Sequence, residues 1–326
     1  MKYFLRKIGL LLFALFVAVT LNFFLPRFMP GDPASDLIDK MQGVPPEALE
    51  SIKVAFGLDT GEPLIIQYFK YLGNLAKGDL GISLSRFPTP VSEVLRIAVP
   101  WTLGLIGLST IISFLIGTVI GITVAWYRNK GFASFTVGFF IFIRSFPYFW
   151  LGLIFIYFFA FKLPVFPIGG AFSVYIQRSG IPFLQTVLYH AFLPSITIII
   201  SSLGAWILTM RNNMINVLAE DYITVALAKG LPLKRIKTVY AAKNAILPSI
   251  TGFAMSLGFV VGGGLLTEMV FGYPGVGLML FQAVQAKDYA LMQGIFLFIS
   301  MAVLLANFFA DIAILFLDPR VRDGGK

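Results

Sequence analysis

The chain has 326 residues, 58% of them hydrophobic and 13% charged, with a formal net charge of +9. Soluble domains run at about 45–50% apolar and about 25% charged, so this balance, with a mean hydropathy of +0.86, excludes an ordinary globule and a disordered chain. The lack of cysteine excludes disulfides and thiolate chemistry, and the one histidine leaves little for metal binding or acid–base catalysis.

A membrane helix needs about 20 mostly apolar residues. Six stretches qualify: Ile8 to Leu25, Pro100 to Tyr127, Phe132 to Phe161, Leu184 to Met210, Leu247 to Phe271 and Leu291 to Leu317. The third is long enough to tilt or to extend past the bilayer. The fold class expected is therefore all-α, a polytopic membrane protein with six transmembrane helices. Lys2, Arg6 and Lys7 precede the first span, and Arg128 and Lys130 follow the second. Arg211, Lys229, Lys234, Arg235, Lys237 and Lys243 crowd the connection between the fourth and fifth, and Arg320, Arg322 and Lys326 follow the sixth. By parity these segments share one side, and short basic loops stay cytoplasmic. Both termini are thus expected in the cytoplasm. The basic excess is a topology signal and does not predict nucleic acid as a partner; the partner it implies is membrane lipid.

The first span resembles a secretory signal, but no small-residue cleavage site follows it before Pro26, and it is expected to be retained. Between the first two spans, Pro26 to Val99 is too long for an idle connection. It carries Ile65, Ile66, Tyr68, Phe69, Tyr71 and Leu72, and is expected to form a small extracytoplasmic cap or a packing insert. The organisation expected is a first transmembrane helix at 1–25, the cap at 26–99 and a five-helix core at 100–326.

Within the spans, Arg144 and Asp311 need explanation, because ions at membrane depth are costly and commonly functional. They are expected to pair, to line a passage or to snorkel to the interface. Gly117-x-x-x-Gly121 and Gly258-x-x-x-Gly262 place small residues on one helix face, which permits close helix packing. Gly262, Gly263 and Gly264 add flexibility midway along the fifth span and suggest either a hinge or gate or tight packing against a partner helix. Glu268 is expected near the outer mouth. No phosphate-cradling G-x-x-x-x-G-K-[ST] loop, H-E-x-x-H or G-x-S-x-G occurs. No catalytic residue, metal site or bound cofactor is expected.

Ala219 to Pro248 is too polar to span and too ordered in composition for a loop. Glu220 and Asp221 put negative charge at a helix start. Tyr222 to Lys229 contains good helix formers, with Ala226 and Ala228 offering small surfaces. Gly230 stands where a left-handed residue ends a helix, and Pro232 suits the first turn of the next. A second basic helix is expected from about Pro232 to Ile246, ended by Leu247-Pro248. The unit reads as a helix, a sharp turn and a second helix: a rigid lever, or an element lying on anionic lipid.

This segment, with Ala226, Ala228-Lys229-Gly230 and Asn244-Ala245-Ile246-Leu247-Pro248, resembles the EAA loop of permease subunits in binding-protein-dependent ATP-binding cassette importers. The run from Asp221, D-Y-I-x-x-A-x-A-K-G, resembles the dipeptide, oligopeptide and nickel branch. Leu25 to Ala34, Gly73 to Ser83, Val270 to Gly277 and Leu317-Asp318-Pro319-Arg320 resemble further segments of the same branch, at its first permease type. Tyr240 and Leu227 depart from the commoner His and Arg.

The resemblance implies a non-catalytic subunit that forms half of a translocation path. Its partners would be a second homologous permease, two ATP-binding subunits carrying ATP and magnesium, and an extracytoplasmic substrate-binding protein. Glu220, Asp221, Tyr222, Ala226, Ala228, Lys229 and Gly230 would dock on an ATP-binding subunit. Arg144, Gly262, Gly263, Gly264, Glu268 and Asp311 would line or gate the path. The implied substrates are di- or oligopeptides, with oligosaccharides or nickel complexes as alternatives. The rival class is a secondary transporter or channel that works without ATPase partners.

Overall fold

The computed structural model describes residues 2–28, 62–260, 262 and 264–317. Among them there is no strand, only one isolated bridge between Ile82 and Pro90. The helices in chain order are α1 (Lys2–Phe24), α2 (Leu64–Ala76), α3 (Val91–Trp126), α4 (Gly131–Arg144), α5 (Tyr148–Lys162), α6 (Gly180–Leu218), α7 (Asp221–Ala228), α8 (233–260), α9 (Leu265–Val270), α10 (Val276–Gln285) and α11 (Tyr289–Leu317). π-turns lie within α3 at Leu103–Gly107, α5 at Ile156–Lys162 and α8 at Ile236–Ala242.

Among the described residues four helical segments are long and apolar enough to cross a membrane: Arg6–Leu25, Val91–Trp126, Gly180–Leu218 and Tyr289–Phe308. The α4–α5 pair makes a fifth if its two halves count together. Three expected boundaries move. The second span begins at Val91 and runs through Pro100. The third is no single helix, since α4 and α5 meet at 92°. Pro147 has no N–H to give and disfavours helical geometry at Phe146, so the helix stops and restarts there. The fifth divides at the glycine run, where α8 stops at Val260 and Gly264 (φ −92°, ψ 70°) leads into α9. Nor does Leu247-Pro248 end the basic helix. Lys243–Val260 continues through Pro248, as α6 continues through Pro194. Neighbouring helices allow membrane helices to tolerate such prolines.

The centre of the molecule is the α3–α6 contact, and glycine makes it possible. A Cβ on Gly117 would sit 2.5 Å from Trp206 Cβ, and one on Gly121 would sit 2.7 Å from Met210 Cβ and 2.9 Å from the Ile207 carbonyl. On α6 itself, a Cβ at Gly204 would lie 2.9 Å from the Phe140 carbonyl of α4. A Cβ on Gly258 of α8 would lie 2.7 Å from Ala306 Cβ of α11. The small-residue spacings thus serve packing inside the chain. Phe114 fills the space beside this seam, stacked on Phe253 at 4.2 Å and edge-on to Trp206 at 5.2 Å.

Two buried clusters close the ends. At the basic end, Ala125, Met210, Met214, Ile223, Ala226, Ile236, Ala241 and Ala245 join α3, α6, α7 and α8. At the opposite end, Val91, Val94, Leu95 and Ala98 of α3 meet Val276, Met279 and Ala283 of α10 and Leu291, Met292 and Ile295 of α11. There α2 lies across α1, with Thr20 Oγ1 2.7 Å from Tyr68 Oη and the Phe23 ring edge-on to Tyr68. Of the expected cap, residues 29–61 lie outside the described residues.

At Gly121 even one methyl group meets backbone. Gly121→Ala is expected to lower stability in detergent by about 1–3 kcal/mol, as overpacking does. Gly138→Ala, with nothing within 4 Å, is expected to be neutral or stabilising by up to about 1 kcal/mol. Thermal unfolding of the two purified variants checks the contrast.

Candidate functional site

The polar arm begins where α6, 39 residues long, overshoots. At 1.5 Å per residue it measures about 58 Å, against about 30 Å of hydrocarbon. The chain turns at Ala219 and Glu220, whose extended φ and ψ (−76°, 144°) occupy the N-cap position of α7. Asp221 follows in the first turn. The end of α7 is a Schellman turn. Gly230 N–H donates to the Leu227 carbonyl (2.9 Å), Leu231 N–H donates to the Ala226 carbonyl (3.3 Å), and Gly230 has φ +69°. Leu231 packs against the cluster that holds Ile223 and Ala226, which is the apolar contact such turns make.

The arm therefore has two faces. Ile223 and Ala226, three residues apart, point inward and are 3% and 2% exposed. Asp221, Tyr222, Ala228, Lys229 and Gly230 are exposed, with Val225, Leu227 and Leu233 beside them as exposed apolar side chains. Ala226 is thus a packing residue of this chain, and its inward position removes it from any outer docking surface. Asn244 Nδ2 donates to Tyr222 Oη at 3.2 Å and to the Tyr240 carbonyl at 2.8 Å, so the arm is braced against α8. Lys237 sits 5.3 Å from the centre of the Tyr127 ring, which joins the arm to the end of α3.

A second feature lies between α3, α4, α5, α6 and α9. A cavity of about 420 Å³ is lined by Arg144, Tyr148, Ser201, Ser202, Gly264 and Thr267, with apolar walls from Ile106, Phe146, Pro147 and Ile198. Ser201 and Ser202 are near the middle of α6. Gly264 is at the division of α8 from α9, Arg144 ends α4, and Ile106 is in the π-turn of α3. Three interruptions of helical geometry converge on one cavity whose mainly apolar wall carries a few polar groups. Non-helical backbone is tolerated at membrane depth where protein buries it or a cavity faces it. Arg144 and Gly264 thus share a site. Gly263 and the side chain of Asp311 lie outside the described residues.

Glu268 has a different place from the one expected. It is fully buried, and its carboxylate is taken up by the fold. Oε1 accepts from Thr102 Oγ1 (2.7 Å), and Oε2 accepts from the amides of Gly277 (2.7 Å) and Leu278 (3.1 Å). Thr102 Oγ1 in turn accepts from Val276 N–H at 2.8 Å. Helix α10 starts after Gly275, which has no side chain to cap it. Glu268 and Thr102 supply the missing acceptors for its free amides. The glycines of Val270 to Gly277 now have reasons. Gly272 (φ +56°) turns the chain after α9. A Cβ on Gly275 would overlap the Glu268 carboxylate, and one on Gly277 would lie 2.7 Å from Leu265 Cα.

Asp288 is a further buried carboxylate, which sequence reasoning missed. Its Oδ1 accepts from Leu291 N–H (3.0 Å) and caps α11. Its Oδ2 accepts from Ser83 Oγ (2.6 Å), Ser85 N–H (2.9 Å) and Ser85 Oγ (2.8 Å). The signal was available, since an Asp stands directly before an apolar run.

Comparison with known proteins agrees with this architecture. Residues 117–323 match the family described as the binding-protein-dependent transport system inner membrane component, and residues 1–92 match the N-terminal family of such membrane components. The chain belongs to the binding-protein-dependent transport system inner membrane component family. It is a multi-pass membrane permease. Among its relatives is a protein of Escherichia coli strain K12 named "Probable D,D-dipeptide transport system permease protein", 35% identical, with 97% of this chain and 96% of that one covered. A di/tripeptide transport system permease protein of Pseudomonas aeruginosa is 32% identical, with 97% of each chain covered. The dipeptide transport system permease protein of E. coli K12 is 31% identical, with 99% of each covered.

Glu268→Ala would strand two amides and a hydroxyl in a buried site. It is expected to cost about 2–4 kcal/mol, and Thr102→Val about 1–2 kcal/mol. Unfolding of the purified variants measures both, and near-native stability of Glu268→Ala would remove the carboxylate from its capping role.

Proposed function

We propose that this chain is a permease subunit of an ATP-driven importer and forms half of a translocation path for di- or oligopeptides. Its relatives' names support the peptide class, and their near-complete coverage supports the same role for the whole chain. On this reading it lies in a prokaryotic cytoplasmic membrane, with six crossings, both termini and the arm in the cytoplasm, and a second homologous permease beside it. An extracytoplasmic binding protein delivers substrate. The chain itself binds no nucleotide; two ATP-binding subunits hold ATP and magnesium.

The observation that carries the proposal is the arm. Its outer face presents Asp221, Tyr222, Val225, Ala228 and Lys229, while its inner face is locked to α3, α6 and α8 through Ile223 and Ala226. An exposed apolar patch on a braced element marks an interaction surface. A partner that grips the outer face moves the inner face with it, and so moves the membrane helices. Closure of two ATP-binding subunits would thereby drive the two permeases between inward-facing and outward-facing states.

Gly230 supplies the test. The space around it is open, with nothing within 4 Å of where a Cβ would stand, so a side chain there disturbs only the left-handed backbone, by about 1–2 kcal/mol. In the complete importer reconstituted into vesicles, Gly230→Val is expected to leave ATP hydrolysis measurable while peptide uptake falls at least about tenfold. Gly230→Asn, which tolerates that conformation better, is expected to retain more uptake. Normal coupled uptake by Gly230→Val would contradict the role of the arm.

A further inference from the structure

Among the described residues that line it, the cavity holds one positive charge and no negative one. Arg144 lines it, and the remaining polar lining comes from Tyr148, Ser201, Ser202 and Thr267. The nearest carboxylate in sequence to that wall is Glu268, and its two oxygens are already occupied by Thr102, Gly277 and Leu278. Among the described residues no hydrogen bond or ion pair engages the Arg144 guanidinium. Arg144 is an exposed residue within a stretch apolar enough to enter the membrane, where a charge is commonly functional, and a planar fork of donors is well matched to a carboxylate. The volume of about 420 Å³ falls within the range of about 300–1,000 Å³ typical of small-molecule sites.

We propose that this cavity is a carboxylate-binding station on the translocation path, where Arg144 receives the C-terminal carboxylate of a peptide in transit. The proposal rests on the peptide-permease reading above and adds the chemical group recognised and the residue that recognises it. Every peptide with a free C-terminus carries this group ionised near neutral pH, whatever its side chains. One arginine therefore serves a family of substrates. Ser201, Ser202, Tyr148 and Thr267 offer further hydroxyls to peptide amides without selecting a sequence.

The test uses the complete importer in proteoliposomes. The sequence has no cysteine, so Ser202→Cys gives this chain a single thiol on the cavity wall. Its modification is timed with an anionic and a cationic methanethiosulfonate, each rate divided by that of a free thiol in solution. The anionic reagent is expected to be favoured by about tenfold or more. Arg144→Gln is expected to abolish that preference and Arg144→Lys to keep most of it. An unchanged ratio in Arg144→Gln, or a thiol that neither reagent reaches, overturns the station. A saturating free-acid dipeptide is expected to slow modification several-fold during turnover, and its C-terminal amide to slow it little. Equal protection by the two overturns carboxylate recognition. If the importer with native Arg144 and Ser202 took up no dipeptide, the peptide reading would fail instead, and the charge preference of the cavity would still be measured.

Discussion

A backbone in lipid has no water to satisfy its amides and carbonyls, and the structure is organised by that constraint. The long helices meet it by themselves. Each place where helical geometry ends inside the molecule needs a substitute acceptor, a substitute donor or a polar cavity. The start of α10 finds its acceptors in Glu268 and Thr102. The start of α11 finds one in Asp288, whose second oxygen also fixes Ser83 and Ser85. The bend before α5, the gap before α9 and the π-turn of α3 all border the Arg144 cavity. Among the described residues the buried carboxylates Glu268 and Asp288 thus serve as caps, and the polar groups on the cavity wall are one arginine and a few hydroxyls.

The same layout connects the two ends of the molecule. Helix α6 is packed through glycine contacts against α3 and α4, and its far end carries the arm. The arm's inner face belongs to the same buried cluster as residues of α3, α6 and α8. Helix α8 then runs to the glycine run at the cavity. On the proposed reading, force applied to the arm has a packed route of ordinary van der Waals contacts to the place where substrate would rest, and no separate signalling residue is required.

Local rules read much of this from sequence. Gly230 followed by Leu231 and Pro232 announced a left-handed helix end, and the φ of +69° agrees. The G-x-x-x-G spacings announced close helix approach. The first, second, fourth and sixth spans coincide with long apolar helices, although α3 starts earlier and α6 runs further than apolarity alone indicates, because helices continue beyond hydrocarbon once packing supports them. What local rules could not reach depends on distant partners. Glu268 looked like a charge at a mouth because its partner Thr102 is 166 residues away. Phe132 to Phe161 looked continuous because hydropathy does not register the backbone break at Pro147. Ala226 looked like a surface residue until its face, shared with Ile223, met Ile236 and Met210.

The central claim, that the outer face of the arm is held by an ATP-binding partner, can be tested by position-specific cross-linking in native membranes. Because the chain lacks cysteine, Ala228→Cys and Ala226→Cys each introduce one thiol, the first on the exposed face and the second on the buried face. A short thiol-directed photo-cross-linker at position 228 should capture an ATP-hydrolysing subunit, and the same reagent at position 226 should not. Capture at 226 alone, or at neither position in an importer that still transports, would contradict the account.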